Sequence, residues 1–384
     1  MEEKENLETL DLNEIRKEID RVDTDLVALF EKRMALTTKV AKYKVRTGKK
    51  VLDTEREKAK LAAISGLVTN EINKHGINEI FTEIMATSRK QQYMLLETMG
   101  QTAREDYVAL EEVPKDRVKV VYQGVPGAYS WIAMRNYFGE AVENVNVRSF
   151  KDAIIMVEEG KVDYAVVPIE NSTAGIVNNV YDLLADHKVY IIAETFVEVK
   201  HALLGVPGAT MEDIQSVYSH VQALNQCRKF LEAHPHWKSY DKSNTAASAK
   251  MVAELNDPTI AAIASKEAAQ FYGLSVLQEE INTEENNTTR FVILTNQRQF
   301  VKDAKKVSIC FEAAHTSGSL YDMLSHIIYN GLNMTKIESR PIEGQAWEFR
   351  FFVDFDGNID DPAVMNALRG IEEESLHIKL LGNY

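Results

Sequence analysis

A seam of apolar residues at spacings of three and four runs through Leu12, Ile15, Ile19, Val22, Leu26 and Leu29 and continues at Leu36, Val40 and Tyr43. At 3.6 residues per turn these positions share one side of a helix. No proline occurs before Pro114 to break it. A second helix is expected to start near Asp53 and Thr54. A third is expected from about Ile77 through Phe81, Ile84 and Leu95 to Met99, ending near Gly100. Residues 1–100 therefore predict an all-α bundle, and the polar stretch 101–117 reads as a linker.

The seam is interrupted where it should stay apolar. The position after Leu29 is Arg33, and Lys44, 11 residues on, projects about 20° away on the same face. On the third helix the apolar steps lead to Ser88 and Gln92. An unpaired buried charge costs several kcal/mol, so these groups must meet each other, an acid or a ligand. The second helix offers Asp53, Arg56 and Glu57 on one face. Singly, each has a plain structural reading. Thr54-x-x-Glu57 is a capping box, Arg33 a snorkelling or salt-bridged arginine, and Ser88 with Gln92 a seam hydrogen bond. Together they bring three cations and two acids to one interior, an excess of positive charge that suits an anionic small molecule. Arg16 lies 17 residues before Arg33, about 26 Å along a straight helix. It cannot reach the same site within one chain; if it is a ligand residue, it serves a second copy of the site, which implies an intertwined dimer.

This segment resembles the all-helical chorismate mutases over about residues 12–100. The resemblance implies that Arg33, with Arg16 from a partner chain, binds the two carboxylates of chorismate. It gives Lys44 and Gln92 the ether oxygen as catalytic groups. Asp53 and Glu57 would orient the ring hydroxyl, with Arg56 and Ser88 in support. A unimolecular rearrangement needs a held conformer and donors at the oxygen that gains charge, without nucleophile or general base.

From Val118 the period changes. Short β-rich runs (VKVVY, YAVVPI, IIAETFVEV, SVYS, TIAAIA, FVILT) alternate with helical stretches near 130–138, 149–159, 176–186, 221–233, 244–255 and 265–272. That alternation predicts α/β architecture with largely parallel sheets, as one large domain or two lobes about a cleft. Four loops place hydroxyls, amides or backbone N–H groups where strands end or helices begin, and such geometry binds carboxylates. Each alone is also a turn or an N-cap. There is no dinucleotide fingerprint or P-loop. His187, His201, His220, His234 and His236 lack metal-ligand spacing. No metal and no cofactor is expected.

PIENSTAG, YSHVQALNQC, SNTAASA and NNTTRF together look like prephenate dehydratase, over residues 118–296. The resemblance makes Thr289 the acid that assists loss of the ring hydroxyl. It lines the cleft with Asn171, Ser172, Thr173, Ser219, Gln222, Thr245 and Arg290, the last pairing with a substrate carboxylate or else forming a structural ion pair. Val221 stands where that family usually has proline.

Residues 306–384 read strand, helix, strand, strand, helix, strand, the ferredoxin-like βαββαβ order, after a junction at 296–305. They resemble an ACT domain (305–384) of the phenylalanine-binding kind. Glu338, Ser339, Arg340 and Pro341 match its motif, and Gly318, Ser319 and Leu320 stand where Gly-Ala-Leu is usual. The implied effector is L-phenylalanine, bound between two copies, which again implies a homodimer or higher homo-oligomer.

The 44 Lys and Arg against 58 Asp and Glu give a net charge of −14, without a basic tract, so nucleic acid is a poor partner. No apolar run approaches the ~18 residues of a membrane span. Two distant cysteines, Cys227 and Cys310, exclude a disulfide framework and fit a reducing compartment. The acidic start has no apolar leader, and the expectation is a cytoplasmic protein. Three resemblances in this order imply a chorismate mutase–prephenate dehydratase, fed back upon by phenylalanine. The rivals are an arogenate dehydratase with attached mutase and a non-catalytic two-lobed sensor.

Overall fold

The structure is a computed structural model and describes residues 11–98, 107–284, 286–345 and 347–384. The expected helix end at Met99–Gly100 and residues 101–106 of the expected linker lie outside the described residues. The chain divides into two units. One joins the N-terminal residues through Arg104 with Thr316–Asn333 and Asp360–Ser375. The other comprises Glu105–His315, Met334–Ile359 and Leu376–Tyr384.

The first unit opens with α1 (Leu12–Thr47), capped by the Asp11 carboxylate, which accepts from the Asn13 N–H, and stopped by Gly48 at φ 66°. Glycine takes that left-handed turn without strain. Asp53 caps α2 (Thr54–Ser65), and α3 (Lys74–Thr98) follows. α1 packs on α3 through the face that carries Arg33, Thr37, Ala41 and Lys44. The apolar seam expected to be buried is instead exposed within one chain: Leu12, Ile19, Val22, Leu26, Leu29 and Leu36 are each more than half exposed. Among the described residues nothing covers them.

In the second unit, the stretch read as linker contains β1 (Val108–Leu110), which pairs with β13 (Gln299–Val301). Then come β2 (Lys119–Gln123), α4 (Tyr129–Phe138), β3 (Glu143–Val147), α5 (Phe150–Glu158), β4 (Tyr164–Asn171), β5 (Gly175–Ile176), α6 (Asn178–Asp186) and β6 (Tyr190–Glu198). A second lobe follows: β7 (Ala202–Gly205), β8 (Ser216–Ser219), α7 (Val221–Gln226), α8 (Arg228–Glu232), β9 (Lys238–Asp241), α9 (Thr245–Leu255), β10 (Ile260–Ala264), α10 (Lys266–Tyr272) and β11 (Ser275–Gln278). The chain returns to the first lobe as β12 (Thr288–Thr295). Two crossings between lobes leave a cleft between two sheets. The sheets are mixed rather than largely parallel. β12 inserts antiparallel to both β4 and β6, and β7 runs antiparallel to β10 and β11. A strand that re-enters from the other lobe has no crossover helix to set a parallel direction.

The last segment contributes β14 (Lys306–Glu312), α11 (Ser319–Tyr329), β15 (Met334–Pro341), β16 (Phe349–Asp356), α12 (Pro362–Glu374) and β17 (His377–Asn383). The strands lie antiparallel in the order β15-β16-β14-β17 and extend the first lobe's sheet through β17 beside β6. At that junction a Cβ on Gly382 would fall 2.2 Å from the Ile191 carbonyl oxygen, so only glycine lets the strands meet. α11 and α12 belong to the first unit. They cross where Gly370 leaves room for the His326 ring, and α12 packs on α3.

Candidate functional site

Two clusters of polar residues form, one in each unit. In the bundle, Arg33 reaches from α1 to α3. Its Nη1 donates to Ser88 Oγ and, at 3.2 Å, to the Ile84 carbonyl. Lys44 Nζ donates to the Val51 carbonyl at 2.5 Å beside the start of α2. Gln92 gives its amide N–H to the Ser88 carbonyl at 3.1 Å, while its buried oxygen Oε1 has no partner among the described residues. Burial lowers the Arg33 guanidinium and the Lys44 ammonium below their ordinary values. Glu57 opposes this at Arg33; Asp53, Glu373 and Glu57 oppose it at Lys44. The structure thus brings Arg33, Lys44, Glu57, Ser88 and Gln92 together. Asp53 serves as the α2 cap, accepting from the Arg56 N–H at 3.1 Å, and the Arg56 side chain is exposed. Arg16 is exposed near the far end of α1, as its spacing requires.

Sequence reasoning missed Arg89, Tyr93, Glu373 and Glu374. Arg89 is buried and pairs with Glu57 at 2.6 Å and Glu374 at 2.9 Å. Burial pulls its guanidinium down, but Glu374 and Glu57 leave it raised overall. Tyr93 donates to Glu373 at 2.5 Å, and the same carboxylate accepts from the Leu52 N–H at 3.0 Å. The one local signal was a charge adjoining Ser88 on α3; Glu373 and Glu374 come from the other end of the chain.

The second cluster lines a cleft of about 350 Å³ between the lobes. Asn171 ends β4 directly opposite Thr289 on β12, and its amide nitrogen lies 2.9 Å from Thr289 Oγ1. Gln222 and Thr245 also line the cleft, in the first turns of α7 and α9. The start of α4 adds Tyr129 and Ser130. Helix N-termini present unpaired N–H groups and positive dipole ends, which favours a carboxylate ligand.

Three expected residues are placed otherwise. Ser219 is fully buried and donates to the Ile263 carbonyl at 2.6 Å, stitching β8 to β10 rather than facing the cleft. Ser172 is spent on backbone, donating to the Asn286 carbonyl at 2.8 Å and accepting from the Thr288 N–H at 2.9 Å. Arg290 does not reach the cleft either. Successive strand residues face opposite ways, so with Thr289 facing the cleft Arg290 faces away. There it bonds Glu194 at 2.7 Å, Asp354 at 3.0 Å and the Tyr384 hydroxyl at 2.8 Å. This is the arrangement of a structural ion pair. Thr173 is exposed and outside the cleft lining, bonded to Asn171 and Gln226.

His201 was passed over because it lacked metal spacing. It is buried at the cleft wall between β6 and β7, and burial lowers it to about 4, so it is neutral at pH 7. Among the described residues no group of three or more His, Cys, Asp or Glu could hold a metal ion, and no helix is long and apolar enough to cross a membrane.

Of the expected effector residues, Gly318 sits at φ 86° before α11, with Ser319 and Leu320 in its first turn. Glu338, Ser339, Arg340 and Pro341 end β15. Arg340 grips the Asp182 carboxylate of α6 with two bonds, at 2.8 and 2.6 Å.

Comparisons with known proteins match one family over each of the two regions that carry these clusters. Residues 15–93 match the family described as chorismate mutase type II, and residues 120–299 match prephenate dehydratase. The chain is 32% identical to a bifunctional chorismate mutase/prephenate dehydratase from Enterobacter agglomerans, over 96% of this chain and 95% of that protein. Among solved structures, a prephenate dehydratase from Arthrobacter aurescens in complex with L-Phe superposes with a TM-score of 0.65 at 30% identity, covering 70% of this chain and 90% of that one. A protein described as a quorum-quenching acylase superposes with a TM-score of 0.64 at 30% identity, covering 69% of this chain and 97% of its own. That second likeness pairs a similar fold with a description of different chemistry, so fold alone does not fix the activity. With both family regions in order and a two-activity relative aligned over nearly its whole length, the chain belongs to the bifunctional chorismate mutase/prephenate dehydratases.

Proposed function

We propose that the bundle rearranges chorismate to prephenate around Arg33, Lys44, Ser88 and Gln92, and that the interlobe cleft converts prephenate to phenylpyruvate with Thr289 as the acid. The observation that carries this reading is the convergence of those four residues on one spot, cationic and without a nucleophile or free general base. Arg33 binds a carboxylate. The Lys44 ammonium and the Gln92 amide stabilise negative charge growing on the ether oxygen as the C–O bond breaks. Glu57 orients the ring hydroxyl, with Asp53 and Arg56 at the mouth. In the cleft, Thr289 Oγ1–H protonates the departing ring hydroxyl, which leaves as water. The electron pair of the breaking bond to the ring carboxylate enters the ring and CO2 departs, so aromatisation drives the step. Gln222, Thr245 and the α4 and α9 N-termini hold the substrate's carboxylates.

The working form is a homodimer or higher homo-oligomer, in which a second copy covers the exposed α1 seam and lends Arg16 to the first copy's pocket. The segments 1–100, 118–296 and 305–384 act as mutase, dehydratase and regulatory modules. The βαββαβ element order and the antiparallel strand order support a ferredoxin-like ACT module. Its effector is L-phenylalanine, at Gly318–Leu320 and Glu338–Pro341; the L-Phe complex of the Arthrobacter relative supports that choice. The site of action is the cytoplasm. Product analysis after adding chorismate to the full chain tests the reading. Phenylpyruvate, suppressed by phenylalanine, supports it. Accumulating prephenate would point to arogenate as the second substrate, and absence of turnover would overturn both assignments.

A further inference from the structure

In the second unit, six side chains from Tyr129 to Thr289 are linked end to end. We propose that Tyr129, His201, Gln226, Thr173 and Asn171 form one hydrogen-bond chain of fixed sense that aims the Thr289 proton into the cleft, with His201 as its buried positioning residue. The proposal rests on the reading of Thr289 as the acid.

Two backbone amides determine the sense. The Thr173 and Ala174 N–H groups both point at one side-chain atom of Asn171, at 3.1 and 2.9 Å, so that atom is the carbonyl oxygen. The Asn171 NH2 must then face Thr289 Oγ1 at 2.9 Å and Asn287 Oδ1 at 2.7 Å. Thr289 Oγ1 therefore accepts from Asn171. No group among the described residues takes the Thr289 proton, and Thr289 lines the cleft.

The same logic runs the other way. Thr173 Oγ1 lies 2.8 Å from Asn171 Oδ1, an atom without hydrogen, so Thr173 donates there. Its hydroxyl then accepts from Gln226, whose near atom at 3.2 Å must be Nε2. Gln226 Oε1 is left facing His201 Nε2 at 2.9 Å, which must carry the proton. A neutral imidazole has one N–H, so Nδ1 is bare and accepts from the Tyr129 hydroxyl at 3.0 Å. Tyr129 also reaches the Lys200 carbonyl at 3.1 Å. Burial keeps His201 neutral, which preserves the single N–H the chain needs.

Thr173 belongs to the first lobe and Gln226 to α7 of the second, so their bond spans the cleft. The chain is complete only when the lobes are closed to this distance.

The test uses the full chain, with mutase turnover as the internal control for folding. Thr173→Val is isosteric but cannot pass the bond; Thr173→Ser can. His201→Leu removes the anchor, and His201→Gln replaces the Nε2 donor. The expected result is a fall in prephenate kcat of about 10- to 100-fold in the Val and Leu variants, with KM little changed, and recovery in the Ser and Gln variants. Nitrogen-15 spectra of labelled histidine, with His201 assigned through His201→Gln, should show the Nε2–H tautomer. Wild-type kcat in Thr173→Val, equal loss in Ser and Val variants, or an Nδ1–H tautomer would each overturn the chain. If Thr289→Ala dehydrates at the wild-type rate, the acid assignment itself is lost. If Thr289→Ala is inactive while Thr173→Val is normal, only the chain is refuted.

Discussion

Arg89 on α3 bonds Glu374 on α12 at 2.9 Å, and its other terminal nitrogen holds Glu57, a residue of the proposed mutase pocket, at 2.6 Å. Glu374 in turn touches His326 of α11 at 3.2 Å. Burial raises Glu374, but His326 and Arg89 bring it below its ordinary value, so it stays ionised at neutral pH. A pocket carboxylate is therefore oriented by an arginine that the C-terminal helices keep in place. Arg89→Met should lower mutase kcat about 10- to 100-fold and leave dehydratase kcat unchanged. Glu374→Gln should do less, because Glu57 still holds the guanidinium. Steady-state assays of both activities check this, and a normal mutase rate in Arg89→Met would show that Glu57 needs no such support.

The two chemistries should separate cleanly by mutation. Gln92→Ala removes the donor proposed for the ether oxygen and should cost mutase kcat about 100-fold or more while sparing dehydration. Thr289→Ala should do the reverse. Loss of both activities in either variant would point to misfolding instead.

Arg290 is predicted to matter for stability rather than for substrate binding. Arg290→Met takes the cation from Asp354 and leaves Glu194 with Lys306 alone, a loss of about 3–5 kcal/mol for breaking a buried pair. Thermal unfolding should show a large drop, and KM for prephenate, measured well below the transition, should not move. A raised KM at unchanged stability would restore Arg290 to the substrate.

The α1 seam predicts an obligate pair. Leu26→Asp places a charge in the middle of a surface that a second copy should cover, so the variant should sediment as a smaller species and lose mutase turnover. Mixing inactive Arg16→Ala and Gln92→Ala chains should restore activity, since one pocket of the mixed pair is intact. Failure of the mixture to recover turnover would argue that each chain completes its own pocket.

His201 makes a pH signature. Its folded value, about 4, lies below the unfolded 6.5, so the unfolded chain binds the proton first. The contribution is complete above pH 6.5 and is lost as pH falls towards 4, by about 3 kcal/mol in all. The groups around it are Tyr129, Gln226 and Asn282, with Glu267 and Cys227 acting on Tyr129. His201→Gln should therefore lose less stability than the wild type between pH 7 and 5. Parallel losses would mean that His201 is not held neutral.

Much of this was legible locally. The helical seam, the change of period at Val118 and the order of the last six elements follow from patterns within a few residues of each other. Ser88 and Gln92 stood out because a polar group on a buried stripe needs a partner, and Arg33 because it interrupts an apolar seam, though one chain leaves that seam exposed. Ser219 and Arg290 misled because a polar residue at a strand end does not announce its face; register against distant strands decides that. Arg89 and His201 were missed for a related reason. Their partners come from elements far along the chain, and no spacing rule reports them.

The alternation of β12 has a genetic consequence. Adjacent codons at 289 and 290 encode separable traits: a change at the first should give a stable but inactive dehydratase, and a change at the second a fragile but competent one. Losing or gaining a single residue just before them would exchange the two faces, putting the guanidinium into the cleft and the hydroxyl among carboxylates. Drift in this stretch is thus confined to substitution, and length variation is expected only where the strand ends.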